Sequence, residues 1–173
     1  MSPALLALHL SGLVIAWFAP DDALTRWPFL TIAVANVGEI FPLLPAAVEK
    51  SKFPDVTALY FLLMLVTVPM RLWVAIRFCY SYRSRIESGY SKISRVRKIY
   101  SIVVVLVFMC MGFLSILVDG YFFEWNFVAI SRSRVWLGLI GPLFAGGAEV
   151  IAIAAGVVVI FISLRRIFTC EEE

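Results

Sequence analysis

The sequence predicts an all-α integral membrane protein, a four-helix transmembrane bundle with an interfacial amphipathic helix in its first outer loop. Three observations predict it: an apolar composition, four hydrophobic runs near the length of a bilayer crossing, and basic residues gathered on one side of them. The 173 residues are 62% hydrophobic and only 16% charged, with a mean hydropathy of +0.94. A soluble domain of this length needs more charge to cover its surface, so the apolar side chains must face lipid as well as one another. The length predicts a single membrane domain over residues 1–173.

A span needs about 20 apolar residues, because each helical residue rises about 1.5 Å through a hydrocarbon core about 30 Å thick. The first span is read over 3–19 and stops at Pro20-Asp21-Asp22. Pro3 suits a first helical turn. No Lys or Arg precedes the run, and Trp17 and Phe18 spoil the small-residue site around Ala16 to Ala19, so it is read as a retained span rather than a cleaved signal. The second span, 56–79, carries Pro69 and Arg71 inside it, whereas the third, 99–118, carries no charge. The fourth, 135–164, is too long for a straight perpendicular crossing and must tilt, kink at Pro142 or project from the bilayer.

The first outer loop, 20–55, contains a further apolar segment, FLTIAVANVGEIFPLLPAAV over 29–48, with Asn36, Glu39, Pro42 and Pro45 in it. At helical spacing Thr31, Ala35, Gly38 with Glu39, and Pro42 gather on one side, leaving Leu30, Val34, Val37, Phe41 and Leu44 on the other. A helix lying in the outer interface fits that pattern. A fifth crossing is the alternative, but it would put Lys50 and Lys52 outside together with the uncharged N-terminus, so charge bias favours the interfacial reading.

Orientation follows from where Lys and Arg collect. The loop over 80–98 and its flanks hold Arg77, Arg83, Arg85, Lys92, Arg95, Arg97 and Lys98 against the single acid Glu87. The loop over 20–55 has Arg26, Lys50 and Lys52 against five acids, and the loop over 119–134 has Arg132 and Arg134 against Asp119 and Glu124. Arg165-Arg166 follows the last span. The basic loop and both termini are therefore predicted to be cytoplasmic, with the other two loops outside. The basic loop attracts anionic lipid, Ser131 to Arg134 read as charged loop surface, and nothing predicts a nucleic-acid partner.

Ionisable groups deep in hydrocarbon cost about 2.5–3.5 kcal/mol on insertion scales, so each needs a reason. Arg71 either snorkels to the cytoplasmic headgroups or pairs with an acid on another helix. Glu149, alone in GPLFAGGAEVIAIAAG, is the best such acid, unless it is protonated or sits nearer the outer interface. Around it Gly141, Ala145, Ala148, Ala152 and Ala155 share a helical face, with Gly138 and Gly156 beside it. Small residues at this spacing let helices approach closely, either within the bundle or as a docking seam for a foreign helix or a second copy.

Catalysis and cofactors find no support. Cys79, Cys110 and Cys170 all avoid the outer loops, so reduced, packed thiols are expected. His9 is the only histidine, which excludes a self-contained bis-imidazole haem bundle; a haem shared with another subunit is the alternative to a packed or snorkelling residue. No metal-ligand cluster, phosphate loop or nucleophile motif is present. The chain is thus expected not to be an enzyme and to carry no cofactor.

Four spans, an outer loop over 20–55, a basic inner loop over 80–98, a shorter outer loop over 119–134 and a basic C-terminal end make an outline. It resembles the four-span immunity proteins against pore-forming colicins, of the colicin A immunity type. The resemblance covers nearly the whole chain in topology, length and loop sizes, with no motif matched residue by residue, so no binding residue is carried over. The apolar first outer loop, the short uncharged N-terminus and the acidic Glu171 to Glu173 depart from it. The resemblance implies a bacterial inner-membrane protein that binds the pore-forming domain of a bacteriocin and blocks its opening. The competing expectation is a small transporter, channel or accessory subunit of a larger membrane complex, whose substrate path would use broken segments such as 29–48.

Overall fold

A computed structural model describes residues 3–91, 94–117, 122, 124 and 127–169. Lys92, Asp119, Cys170 and the acidic tail Glu171 to Glu173 lie outside the described residues. Among those described the chain is helical: α1 (Pro3–Phe18), α2 (Ala23–Arg26), α3 (Pro28–Ile40), α4 (Leu43–Lys50), α5 (Pro54–Val66), α6 (Val68–Ser81), α7 (Arg83–Ser91), α8 (Arg95–Leu117), α9 (Arg134–Phe144) and α10 (Gly147–Thr169). Two stretches, Val96–Leu114 and Arg134–Arg165, are long and apolar enough to cross a membrane, and up to four are if each of two bent pairs counts as one span. α1 has 16 residues, or about 24 Å, and falls short of that length.

The bent pairs are α3 with α4 and α5 with α6. Between α3 and α4 the axis turns by 118°, so 29–48 is not a straight crossing helix. Pro42 has no N–H to continue the ladder, and the chain leaves helical geometry at Phe41. Leu30, Val34, Val37 and Phe41 are half-buried while Thr31, Ala35 and Glu39 are exposed, the two sides that helical spacing predicts. The run read as one span over 56–79 is interrupted at Thr67. Pro69 removes a backbone donor and its ring clashes with the carbonyl four residues back, and the Thr67 hydroxyl donates to the carbonyls of Leu63 and Met64 at 2.7 and 3.1 Å.

The long fourth run is likewise interrupted, three residues beyond Pro142. The Ala145 N–H bonds the Gly141 carbonyl at 2.8 Å and Gly146 takes φ 78°, the left-handed conformation that closes a helix and that glycine adopts without strain. Packing divides the chain into two compact units, Met1–Pro69 with Leu114–Ala148, and Met70–Phe113 with Glu149–Glu173.

In the first unit α5 is central, touched by α1, α2, α3 and α4, while α1 also packs on α9. Pro54 opens α5 at its first turn and Asp55 follows, an acid where the helix dipole favours one. Val56, Ala58, Leu59, Tyr60, Phe61, Met64 and Leu65 are all buried. A helix apolar all round must sit inside its neighbours, and α5 does.

Above this core the two loops read as outer ones are tied together. Asp55 Oδ2 accepts the Leu24 N–H at 2.9 Å, Lys50 Nζ donates to the Phe122 carbonyl at 3.1 Å, and the Lys52 N–H donates to the Ser131 carbonyl at 2.9 Å. Arg134 binds the Asp21 carboxylate and the Ala19 carbonyl. The guanidinium of Arg26 donates to Asp22 at 2.7 Å and holds that carboxyl below the usual carboxylate range.

Ser131 is buried, not loop surface as the sequence reading has it. Its N–H and hydroxyl donate to the two carboxylate oxygens of Glu124 at 3.0 and 2.7 Å. Glu124→Ala strands both donors, and a thermal or denaturant melt should show a loss of about 1–3 kcal/mol. An unchanged midpoint would mean that the loops are held elsewhere.

In the second unit α10 buries Ala154, Val158 and Ile162, four residues apart along one face. Val105 and Met109 of α8 pack where Gly156 of α10 leaves room. Elsewhere on α8 Val103, Val107, Phe108 and Met111 are exposed.

Candidate functional site

The polar groups that the sequence places within the membrane, Arg71 and Glu149, lie in the second unit. Arg71 is on α6, just past the interruption at Thr67 and Pro69, and only 7% of it is exposed. It is engaged within the protein. Glu149 opens α10, in the first turn, where the positive helix end favours an acid. Arg71 is the cation that acts on it electrostatically. Gly112 of α8 faces the Glu149 stem, and a Cβ there would lie 4.0 Å from Cγ.

Arg71 and Glu149 belong to the same unit. One Glu149 oxygen, Oε2, is buried and has no hydrogen-bond partner. A buried polar atom left unmatched carries a desolvation cost of about 1–3 kcal/mol, more when charged, so an incoming donor has something to gain there.

The small residues of the proposed seam differ in burial, and Gly146, at positive φ, stands between α9 and α10. Gly141 and Ala145 are buried in the first unit. Gly138 lies against Leu13, Ala16 and Trp17 of α1, and a Cβ on Gly141 would come within 2.8 Å of the Tyr60 ring. Gly156 is buried against Met109. Ala148 and Ala152 alone among the candidates are exposed, on either side of Glu149. Close helix approach within each unit occupies the rest.

Cys79 is half-buried and Cys110 is exposed, both unbonded, so Cys110 is not the packed thiol expected of it. His9 is half-buried on α1.

Two features escaped the sequence reading. Tyr60 is wholly buried and its ring is wedged between Gly12 of α1 and Gly141 of α9. The pairing of a large aromatic with two glycines was visible only as separate residues on three helices. Within the first unit an apolar groove of about 660 Å³ runs between α1, α3 and α5, lined by Ile15, Val37, Leu59, Leu63 and others, with Asn36 its polar member. The spacing of Val37 and Asn36 on α3 was legible, but the opposing wall was not.

No protein-family profile, curated protein or solved structure matches the chain.

Proposed function

We propose that this chain is a multi-pass bacterial inner-membrane immunity protein, with cytoplasmic termini, that protects its host by binding the pore domain of a pore-forming bacteriocin within the membrane. The observation that carries the reading is Glu149. It carries a buried, unmatched oxygen, and Ala148 and Ala152, one residue before it and three after it on the same helix, are exposed in an otherwise apolar stretch. Small residues let a foreign helix approach closely, and a polar donor on that helix would meet the carboxylate. A polar pair that only the cognate toxin completes penalises related toxins, which is how discrimination arises when the rest of the surface is apolar. The action is binding, not catalysis.

The test is survival. Sensitive cells expressing the chain should withstand one purified pore-forming bacteriocin, or a narrow group, and remain sensitive to the others. Ala152→Leu, at an exposed position, should insert normally and lose protection. Cells that die equally under every toxin of the panel would sink the reading.

Interrupted helix pairs favour a second reading, a small transporter, channel or accessory subunit, because broken helices near mid-membrane line substrate paths. Purification in a stoichiometric transport or respiratory complex would select it.

A further inference from the structure

Between the end of α6 and the start of α7, within the second unit, three arginines each lie over an aromatic ring that precedes them by three or four residues. Arg77 stands 4.6 Å from the Trp73 ring centroid, Arg83 4.8 Å from Tyr80, and Arg85 5.8 Å from Tyr82. The rings are themselves held. Tyr80 meets Phe161 of α10 edge-on at 6.4 Å, Tyr82 meets Phe78 edge-on at 5.2 Å, and Arg83 Nη1 donates to the Tyr80 hydroxyl at 2.7 Å. All three arginines are exposed, as are Trp73, Phe78, Tyr80 and Tyr82.

Exposed Trp and Tyr beside an apolar helix mark the level of the lipid headgroups. A guanidinium lying on a ring is fixed in orientation and keeps most of its five N–H donors in its own plane, free for an anion. Phosphate oxygens match that fork in a bidentate way, which an ammonium cannot reproduce. The only acid from 72 to 118 is Glu87, which is itself engaged. The segment therefore offers oriented donors, net positive charge and interfacial aromatics together.

We infer that Trp73–Arg77, Tyr80–Arg83 and Tyr82–Arg85 form a binding site for the phosphodiester headgroup of an anionic phospholipid. This goes beyond the diffuse attraction of a basic loop for a negative surface. Diffuse attraction counts charges and is indifferent to Arg or Lys, whereas the stacked site depends on guanidinium planes and on the rings beneath them. It rests on the membrane character of the chain and not on the immunity reading.

The full-length protein in an uncharged detergent is mixed with dioleoyl phosphatidylglycerol, dioleoyl phosphatidylcholine or inorganic phosphate. Retained lipid is counted by native mass spectrometry, and the thermal midpoint is followed in parallel. Phosphatidylglycerol should be retained and raise the midpoint, with the other two doing neither. Arg77→Lys, Arg83→Lys and Arg85→Lys, combined, keep every charge and should weaken retention by about threefold for each stack lost. Trp73→Leu touches no charge and should weaken it by about threefold alone, so the outcome does not hang on whether the triple variant folds. Wild-type retention in both variants would reduce the site to diffuse charge. Equal retention of phosphatidylcholine, or competition by millimolar inorganic phosphate, would overturn the headgroup assignment.

Discussion

Arg71→Leu is expected to destabilise the protein by about 1–3 kcal/mol, because it removes a buried, engaged guanidinium that also acts on half-buried Glu149. Glu149→Leu should cost a similar amount for the converse reason. The informative variant is the double one. Arg71 and Glu149 each carry a desolvation cost that their mutual attraction only offsets, so replacing both with leucine removes the cost along with the attraction. The double variant is therefore expected to recover most of the loss, giving a coupling of at least about 1 kcal/mol in a double-mutant cycle. Denaturation in mixed micelles reads it. Additive single effects would show that the two groups do not act on one another, and Glu149 would then have no special standing as a recognition group.

Gly141→Ala should cost about 1–3 kcal/mol by overpacking, although Ala is ordinarily the better helix former. The added Cβ would lie 2.8 Å from both the ring and the hydroxyl oxygen of Tyr60, a side chain that is wholly buried and so has little room to retreat. In a Tyr60→Leu background the same substitution should cost far less, since the obstructing atoms are gone. Gly89→Ala is the control: nothing lies within 4 Å of it on α7, so it should be neutral or slightly stabilising. A Gly141→Ala protein as stable as the parent would mean that α9 can shift on α5 freely.

The contrast between these two sites shows what residue order can carry. Arg71 and Glu149 stood out because charge in an apolar run is a local anomaly, readable from a dozen residues. Tyr60 did not stand out, since a tyrosine in an apolar run is ordinary until two glycines from distant helices are placed against it. Ser131 reads as loop surface for the same reason, and Glu124 only as one charge of its loop. Nothing in either residue announces that one will satisfy two buried donors of the other.

The seam on the fourth run failed in a different way. Gly141 to Ala155 share a face only if the helix is unbroken, and Gly146, at positive φ, stands between α9 and α10. Proline was weighed as the point of interruption, and in the second run Pro69 does sit at one. In the fourth, Pro142 lies within α9 and the helix ends beyond it.

Sequence by itself determined the helical, membrane-compatible class, the approximate places of the apolar runs and the concentration of Arg and Lys in 77–98. Hydropathy and charge are additive along the chain, and a window of about 20 residues contains them whole. Tertiary structure alone decided where the runs break, that Arg71 is buried, and which small residues are filled and which, Ala148 and Ala152, stay open beside Glu149. Burial is a property of pairs of surfaces, and a helix phase depends on every dihedral before it. Neither is stored in any single stretch of sequence.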